Sequence, residues 1–325
     1  MKVAVTGSSG LIGSALIAGL LADGHEVVRL VRRPPHAAAG EVRWDPHAAD
    51  AGLGSLDGLH GVDACLHLAG AGVADRRWTA RYKAEVRASR VLGTRALAGT
   101  LARLNPRPSV LVSASAIGYY GSGADGVDES APAGKGFLAR VVHDWEEAAD
   151  PARAAGIRVV HPRSGLVLAK DGGMLGKLLP LARRGLCPRF GSGTQLMSWI
   201  ALPDEIAALR FLLDREDVAG PVNLTAPTPV TNAAFTAALH AALGRRDHPW
   251  LRVPAPLLRL GMGEASAELL SSASVAPARL TAAGYEFRYP ALADALDAEL
   301  SFATTSKPLS RGPRRWRRPR GSRRR

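Results

Sequence analysis

Cysteine is scarce in this chain: 325 residues carry two, Cys65 and Cys187. That excludes a disulfide framework and fits a reducing, cytoplasmic setting. Aromatic residues are few, at 5%. No apolar run is long enough to cross a bilayer, since Leu11–Ala22 is short and broken by glycine. No signal-peptide pattern opens the chain, because an apolar strand starts at residue 2. No His, Cys, Asp or Glu cluster has metal-ligand spacing, and no Ser-His-Asp signature stands out. Neither a metal nor a membrane partner is expected.

Acid is missing from one stretch only. Residues 301–325 hold ten of the 42 Lys and Arg residues and none of the 29 Asp and Glu. That leaves 32 basic against 29 acidic residues in 1–300, a net charge of +3. The body is therefore nearly balanced, with 46% hydrophobic residues and a mean hydropathy near zero, as in a globular enzyme with a sizeable core. The tail is expected to be disordered. It is either a weak polyanion-binding arm or a solvated extension without a partner. Any nucleic-acid binding would reside there.

What is present begins at the first residues. Val3, Ala4 and Val5 lead into Thr6-Gly7-Ser8-Ser9-Gly10-Leu11-Ile12-Gly13, and an apolar helical stretch follows. Strand, glycine-rich turn and helix in that order predict a dinucleotide site. Gly7 permits the tight turn, Gly10 lets backbone approach a pyrophosphate, and Gly13 lets the helix pack on the sheet. Ser9, Leu11 and Ile12 line the same turn, where helix N–H groups favour phosphate. At the end of the second strand, an acid would bind the ribose of NAD; here Val31 is followed by Arg32 and Arg33, which favours the 2′-phosphate of NADP. Leu68, Ala69 and Gly70 end a later strand with mostly small residues that admit the cofactor.

Strands alternate with helices through the first two-thirds: strands near 27–31, 64–69, 110–114 and 157–160, helices at 80–103 and 136–155. The expected fold class is α/β, a Rossmann-type doubly wound parallel sheet with a smaller, interleaved C-terminal substrate lobe. Residues 1–165 form the NADP-binding domain, 166–300 the lobe and 301–325 the tail. A helix at 204–214 and a final one at 291–300 are predicted. The oligomeric state is read as monomer or homodimer.

The stretches TGSSGLIG (6–13), HLAGAG (67–72), RRWT (76–79), RASR (87–90), SASAIGYYG (113–121), GSGTQLMSWI (191–200), GPVNLTAP (220–227) and AAGYEFRYP (282–290) cover nearly all of 1–300. In them the chain resembles the extended short-chain dehydrogenase/reductase superfamily. It is most similar to the bacterial NAD-dependent epimerase/dehydratase-like subgroup with a characteristic C-terminal extension, some of which are described as sugar-nucleotide epimerases or cell-division-inhibitor-like proteins. The resemblance implies a Ser, a Tyr and a Lys at the reacting centre, the last two spaced Tyr-x-x-x-Lys. Ser115 matches the serine. The following helix, GFLARVVHDWEE at 136–147, holds neither Tyr nor Lys, and no tyrosine elsewhere is followed by Lys four residues on.

Three readings stay open. Tyr119 or Tyr120 supplies the acid/base from the loop after Ser115. His143 or Arg140 supplies charge from the helix. Or the chain is a non-catalytic NADP-binding regulator or scaffold. The catalytic reading makes it an NADP-dependent oxidoreductase or epimerase on a small polar or nucleotide-linked substrate. Arg163 is expected near the nicotinamide, and Arg76, Trp78, Gln195 and Trp199 near the substrate at the carboxyl ends of the strands.

Overall fold

Val3 and Val5 face one side of the first strand and Ala4 the other, and this alternation decides which helix covers which face. In the computed structural model, which describes residues 1–36, 39–46 and 57–301, the chain runs β1 (Lys2–Thr6), α1 (Leu11–Ala22), β2 (Glu26–Val31), β3 (Glu41–Arg43), β4 (Ala64–His67), α2 (Ala80–Arg103), β5 (Val110–Ser113), β6 (Ser115–Ala116), β7 (Ala124–Val127), α3 (Phe137–Glu147), α4 (Asp150–Ala154) and β8 (Arg158–Ser164). The remainder runs β9 (Leu166–Leu168), α5 (Gly173–Ala182), β10 (Arg189–Phe190), β11 (Leu196–Met197), β12 (Trp199–Ala201), α6 (Leu202–Asp214), β13 (Gly220–Leu224), β14 (Val230–Thr231), α7 (Asn232–Ala242), β15 (Arg252–Val253), α8 (Ala255–Met262), α9 (Ser266–Leu270), β16 (Ala273–Val275), α10 (Ala278–Ala282) and α11 (Leu292–Ser301). The expected Arg-rich tail lies, from residue 302 on, outside the described residues.

The main sheet has the order β13-β8-β5-β4-β1-β2-β3, with every pairing parallel. This is the expected doubly wound fold. Val3, Val5, Leu66, Val112 and Val222 bury one face against α1 and α6 through Leu16, Leu20, Leu209 and Leu212. Ala4, Val28, Cys65, Leu111 and Val159 bury the other against α2 and the α4 region through Leu97, Leu101, Ala149 and Ala152. The strand order reverses between β1 and β4, so a crevice opens beyond their carboxyl ends, where such sheets bind ligands.

The sheet takes β13 from well beyond residue 165. A third apolar cluster, built from Leu168, Leu175, Trp199, Phe235, Leu239 and Leu296, holds the C-terminal part together. The single helix expected over 136–155 is two helices, because the chain turns at Ala148–Ala149 and restarts with Pro151 in the first turn of α4, where its missing N–H costs nothing. Among the described residues, no helix is long and apolar enough to cross a membrane.

Candidate active site

The turn after β1 is glycine at two positions for different reasons. Gly7 has φ +68°, and a Cβ there would come within 2.7 Å of the Leu68 carbonyl. A Cβ on Gly13 would overlap the carbonyl oxygen of Gly7. Gly10 is exposed, donates its N–H to Gly7 O at 2.9 Å and starts α1 without a side-chain cap. It forms the crest, with Ser9 exposed beside it. The side chains of Leu11 and Ile12 are turned into packing, Leu11 under Gly172 and Ile12 against the sheet core. What these residues can offer a ligand is backbone N–H.

Thr6 braces this turn to the next strand. Its hydroxyl oxygen accepts the N–H groups of Leu68 (3.0 Å) and Ala69 (3.2 Å). Its proton therefore goes to His67 Nδ1, 2.7 Å away, and the imidazole keeps its own proton on Nε2. Burial pushes His67 down to about 4, so the ring is neutral at physiological pH. Beyond it, Ala71 N donates to Ser89 Oγ (3.1 Å), Arg90 donates to Ala71 O (2.9 Å), and Tyr82 donates to Gly72 O (2.5 Å). Ser89 and Arg90 belong to the RASR stretch, whose role the sequence left blank: α2 clamps the loop that floors the cleft.

At the end of β2 the two arginines part company. Arg33 forks onto Glu41, at 2.7 and 2.5 Å, and Glu41 also accepts the His36 N–H. Arg32 is exposed and has no partner among the described residues.

A polar chain crosses the end of the sheet on the Ser115 side. Ser115 Oγ donates to Glu146 Oε1 at 2.6 Å. Arg163 grips the same carboxylate through Nε and one terminal nitrogen, both at 2.8 Å. Its other terminal nitrogen donates to the Tyr120 hydroxyl (2.9 Å), which donates to Asn223 Oδ1 (2.7 Å). Burial opposes the charge on Glu146, but the Arg163 hydrogen bonds and charge outweigh it and hold the carboxyl below its ordinary value. Burial raises Tyr120, against the pull of Arg163.

Four of the expected site residues are buried and hydrogen-bonded within the protein. Tyr120 is 5% exposed, with its hydroxyl both donating and accepting, so it is part of the core network rather than a free acid. Arg163 is 2% exposed and bonded to Glu146 and Tyr120. Gln195, 7% exposed, uses its amide N–H groups on Phe190 O and Leu269 O. Trp199, 1% exposed, bonds Thr228 O and packs in the C-terminal core. Trp78 is half-buried, bonded to Val73 O at 2.9 Å and edge-on to Phe137; Arg76 beside it is exposed.

Tyr119 is different. It is half-buried, its hydroxyl has no partner among the described residues, and the Arg163 guanidinium lies 3.5 Å from its ring centroid. The helix that follows presents Leu138 and Val142 to the Ile117–Tyr120 turn, within 4 Å of where a Cβ on Gly118 would stand. Glu146 continues that stripe one turn on. His143 is exposed near Asp144 and Glu147; these three form the one potential metal cluster among the described residues, with Asp144 already paired to Arg87 at 2.7 Å.

Residues 3–224 match the NAD dependent epimerase/dehydratase family, and residues 253–299 match a domain of unknown function, DUF1731. An epimerase family protein of Mycobacterium bovis is 44% identical over 93% of this chain and 97% of its own length. The crystal structure of the human epimerase family protein SDR39U1 (isoform 2), solved with NADPH, superposes with a TM-score of 0.82 at 34% identity, covering 93% of this chain and 99% of that one. A nucleoside-diphosphate sugar epimerase from Corynebacterium glutamicum superposes with a TM-score of 0.76 at 36% identity, covering 93% of this chain and 58% of that one. Since the match runs from the glycine turn through the edge strand β13, the chain belongs to the NAD dependent epimerase/dehydratase family, within the short-chain dehydrogenase/reductase superfamily.

Proposed function

We propose that the chain is an atypical NADP(H)-dependent oxidoreductase or epimerase acting on a small polar or nucleotide-linked substrate. The observation that carries the cofactor reading is the cradle itself. Side chains are excluded at Gly7 and Gly13 by backbone, Gly10 is exposed at the start of α1, and Arg32 is unspent at the end of β2. The NADPH in the human relative supports it. Gly7, Ser9, Gly10, Leu11, Ile12 and Gly13 would hold the pyrophosphate on backbone N–H, Leu68–Gly70 the ribose side, and Arg32 the 2′-phosphate.

When bound, the cofactor supplies hydride transfer. The residues supply position and the proton. Ser115 has one proton, and Glu146 takes it, so toward a substrate Ser115 presents lone pairs and orients a hydroxyl by accepting from it. Tyr119 is the phenol left to carry the proton, with the Arg163 cation against its ring. The sugar-nucleotide epimerase relative supports the substrate class. Leu138 and Val142 favour the second reading, a non-catalytic NADP-binding regulator, because the helix side chains nearest Gly118 are apolar.

The test is cofactor titration by calorimetry. Charge-assisted hydrogen bonds of this kind contribute about 1.5–3 kcal/mol, so NADPH should bind at least about tenfold more tightly than NADH, and Arg32→Ala should erase the difference. Equal affinities in the unmodified protein would defeat the assignment. Among nucleotide sugars added to the NADP-loaded protein, one that turns over with Ser115 and Tyr119 intact but not in Tyr119→Phe supports catalysis; NADP binding without turnover supports the regulator.

A further inference from the structure

The loop from β4 into α2, with the first turn of that helix, carries three arginines that the cofactor cleft leaves unused. Arg76, Arg77 and Arg81, with Thr79, Tyr82 and Glu85, line a depression of about 470 Å3. Its floor is the buried Tyr82, held by its hydroxyl to Gly72 O, with the Arg76 guanidinium 5.8 Å from its ring centroid. Arg77 reaches across to the Leu260 carbonyl at 2.5 Å, which fixes one wall to the C-terminal part of the chain.

The acids around it are largely committed. Asp75 faces Lys177 at 3.8 Å, and Glu264 pairs with Lys83 at 2.6 Å. Glu85 is the one acid in the lining, against three arginines, and neither Arg76 nor Arg81 has an ion-pair partner among the described residues. Unpaired guanidinium groups converging on one concavity match phosphate oxygens, which they grip in pairs. The depression lies beyond the carboxyl end of β4, on the loop whose first residues, Leu68–Gly70, border the cleft.

We propose that this depression binds the diphosphate of the substrate, Arg76 and Arg81 gripping its oxygens and Arg77 closing the far side. The assignment rests on the reading that the substrate is nucleotide-linked, and it names where that linkage sits. A diphosphate fits better than a single phosphate because two unpaired arginines, one before the start of α2 and one in its first turn, line a space of about 470 Å3, which exceeds what one phosphate fills.

The test is calorimetric titration of inorganic pyrophosphate into the full chain saturated with NADPH. Pyrophosphate should still bind, and Arg76→Ala/Arg81→Ala should weaken it at least about tenfold while leaving NADPH affinity and Tm unchanged. The ten basic residues of 301–325 are common to both proteins, so only the difference between them counts. Pyrophosphate affinity unchanged in the variant overturns the site, as does complete displacement by NADPH or equally tight binding of sulfate. Failure of NADPH itself to bind would instead defeat the cofactor reading.

Discussion

Glu205 is 1% exposed. One of its oxygens accepts from Ser164 Oγ at 2.6 Å, and the other has no hydrogen-bond partner. Burial pushes the carboxyl up to about 7, with Ser164 pulling the other way. The unfolded chain gives up this proton near 4.5 while the folded one keeps it, so the native state binds more protons between about 4.5 and 7. Stability from this group is full below that window and lost as pH rises through it, at up to about 1.4 kcal/mol per pH unit. Glu205→Gln should therefore gain in Tm relative to the parent protein between about pH 5 and pH 8. A Tm difference that stays flat over that range overturns the assignment. Nothing in the string LPDEIA marks Glu205 as different from its neighbour Asp204, whose carboxylate accepts the N–H groups of Arg288 and Tyr289. The glycines were legible, because strand, turn and helix are written consecutively. The division of labour between Arg32 and Arg33 was not, since it depends on Glu41 arriving from the next strand.

On α3, Leu138, Val142 and Glu146 fall on one stripe, spaced by four. Sequence reading found the absence of Tyr and Lys there but passed over Glu146, because its partners are distant: Ser115 lies 31 residues away in sequence and Arg163 17. The network closes only when β6, α3, β8 and β13 meet. Glu146→Ala would leave the Arg163 guanidinium buried without its counter-charge, and such a loss costs about 3–5 kcal/mol. Urea unfolding should show that loss. A variant within about 0.5 kcal/mol of the parent would mean the pair contributes nothing and Ser115 is not held by it. Strands β1, β2, β4, β5 and β8 of the sheet were readable by their β-branched runs and turn signals; the edge strands β3 and β13 were not. The two-residue strands β10, β11, β14 and β15 pair with one another across long stretches of chain and are too short to carry a period.

Across the whole molecule, the alternation of strands and helices was enough to give the doubly wound sheet, whereas the C-terminal part takes its shape from contacts no local pattern announces. Chief among these are the ties between the start of α2 and the α8 region: Arg77 to Leu260 O, and Lys83 to Glu264. Tyr82, Ser89 and Arg90 of the same helix clamp Ala71 and Gly72 at the rim of the cleft. A rigid helix thus has one hand on the cofactor loop and the other on the segment matched as DUF1731.

Free energy passed along such a bar is reciprocal. If NADPH tightens the loop and α2 carries that change, local opening at Ala255–Met262 slows, and loosening that segment weakens NADPH by the same factor. Hydrogen exchange of those amides with and without NADPH, repeated in Lys83→Ala, measures both directions at once; protection that ignores the cofactor would mean that α2 transmits nothing. With protection, the distal segment acts as a counterweight to the cofactor, and natural variation there would tune nucleotide retention without altering a single group in the cleft.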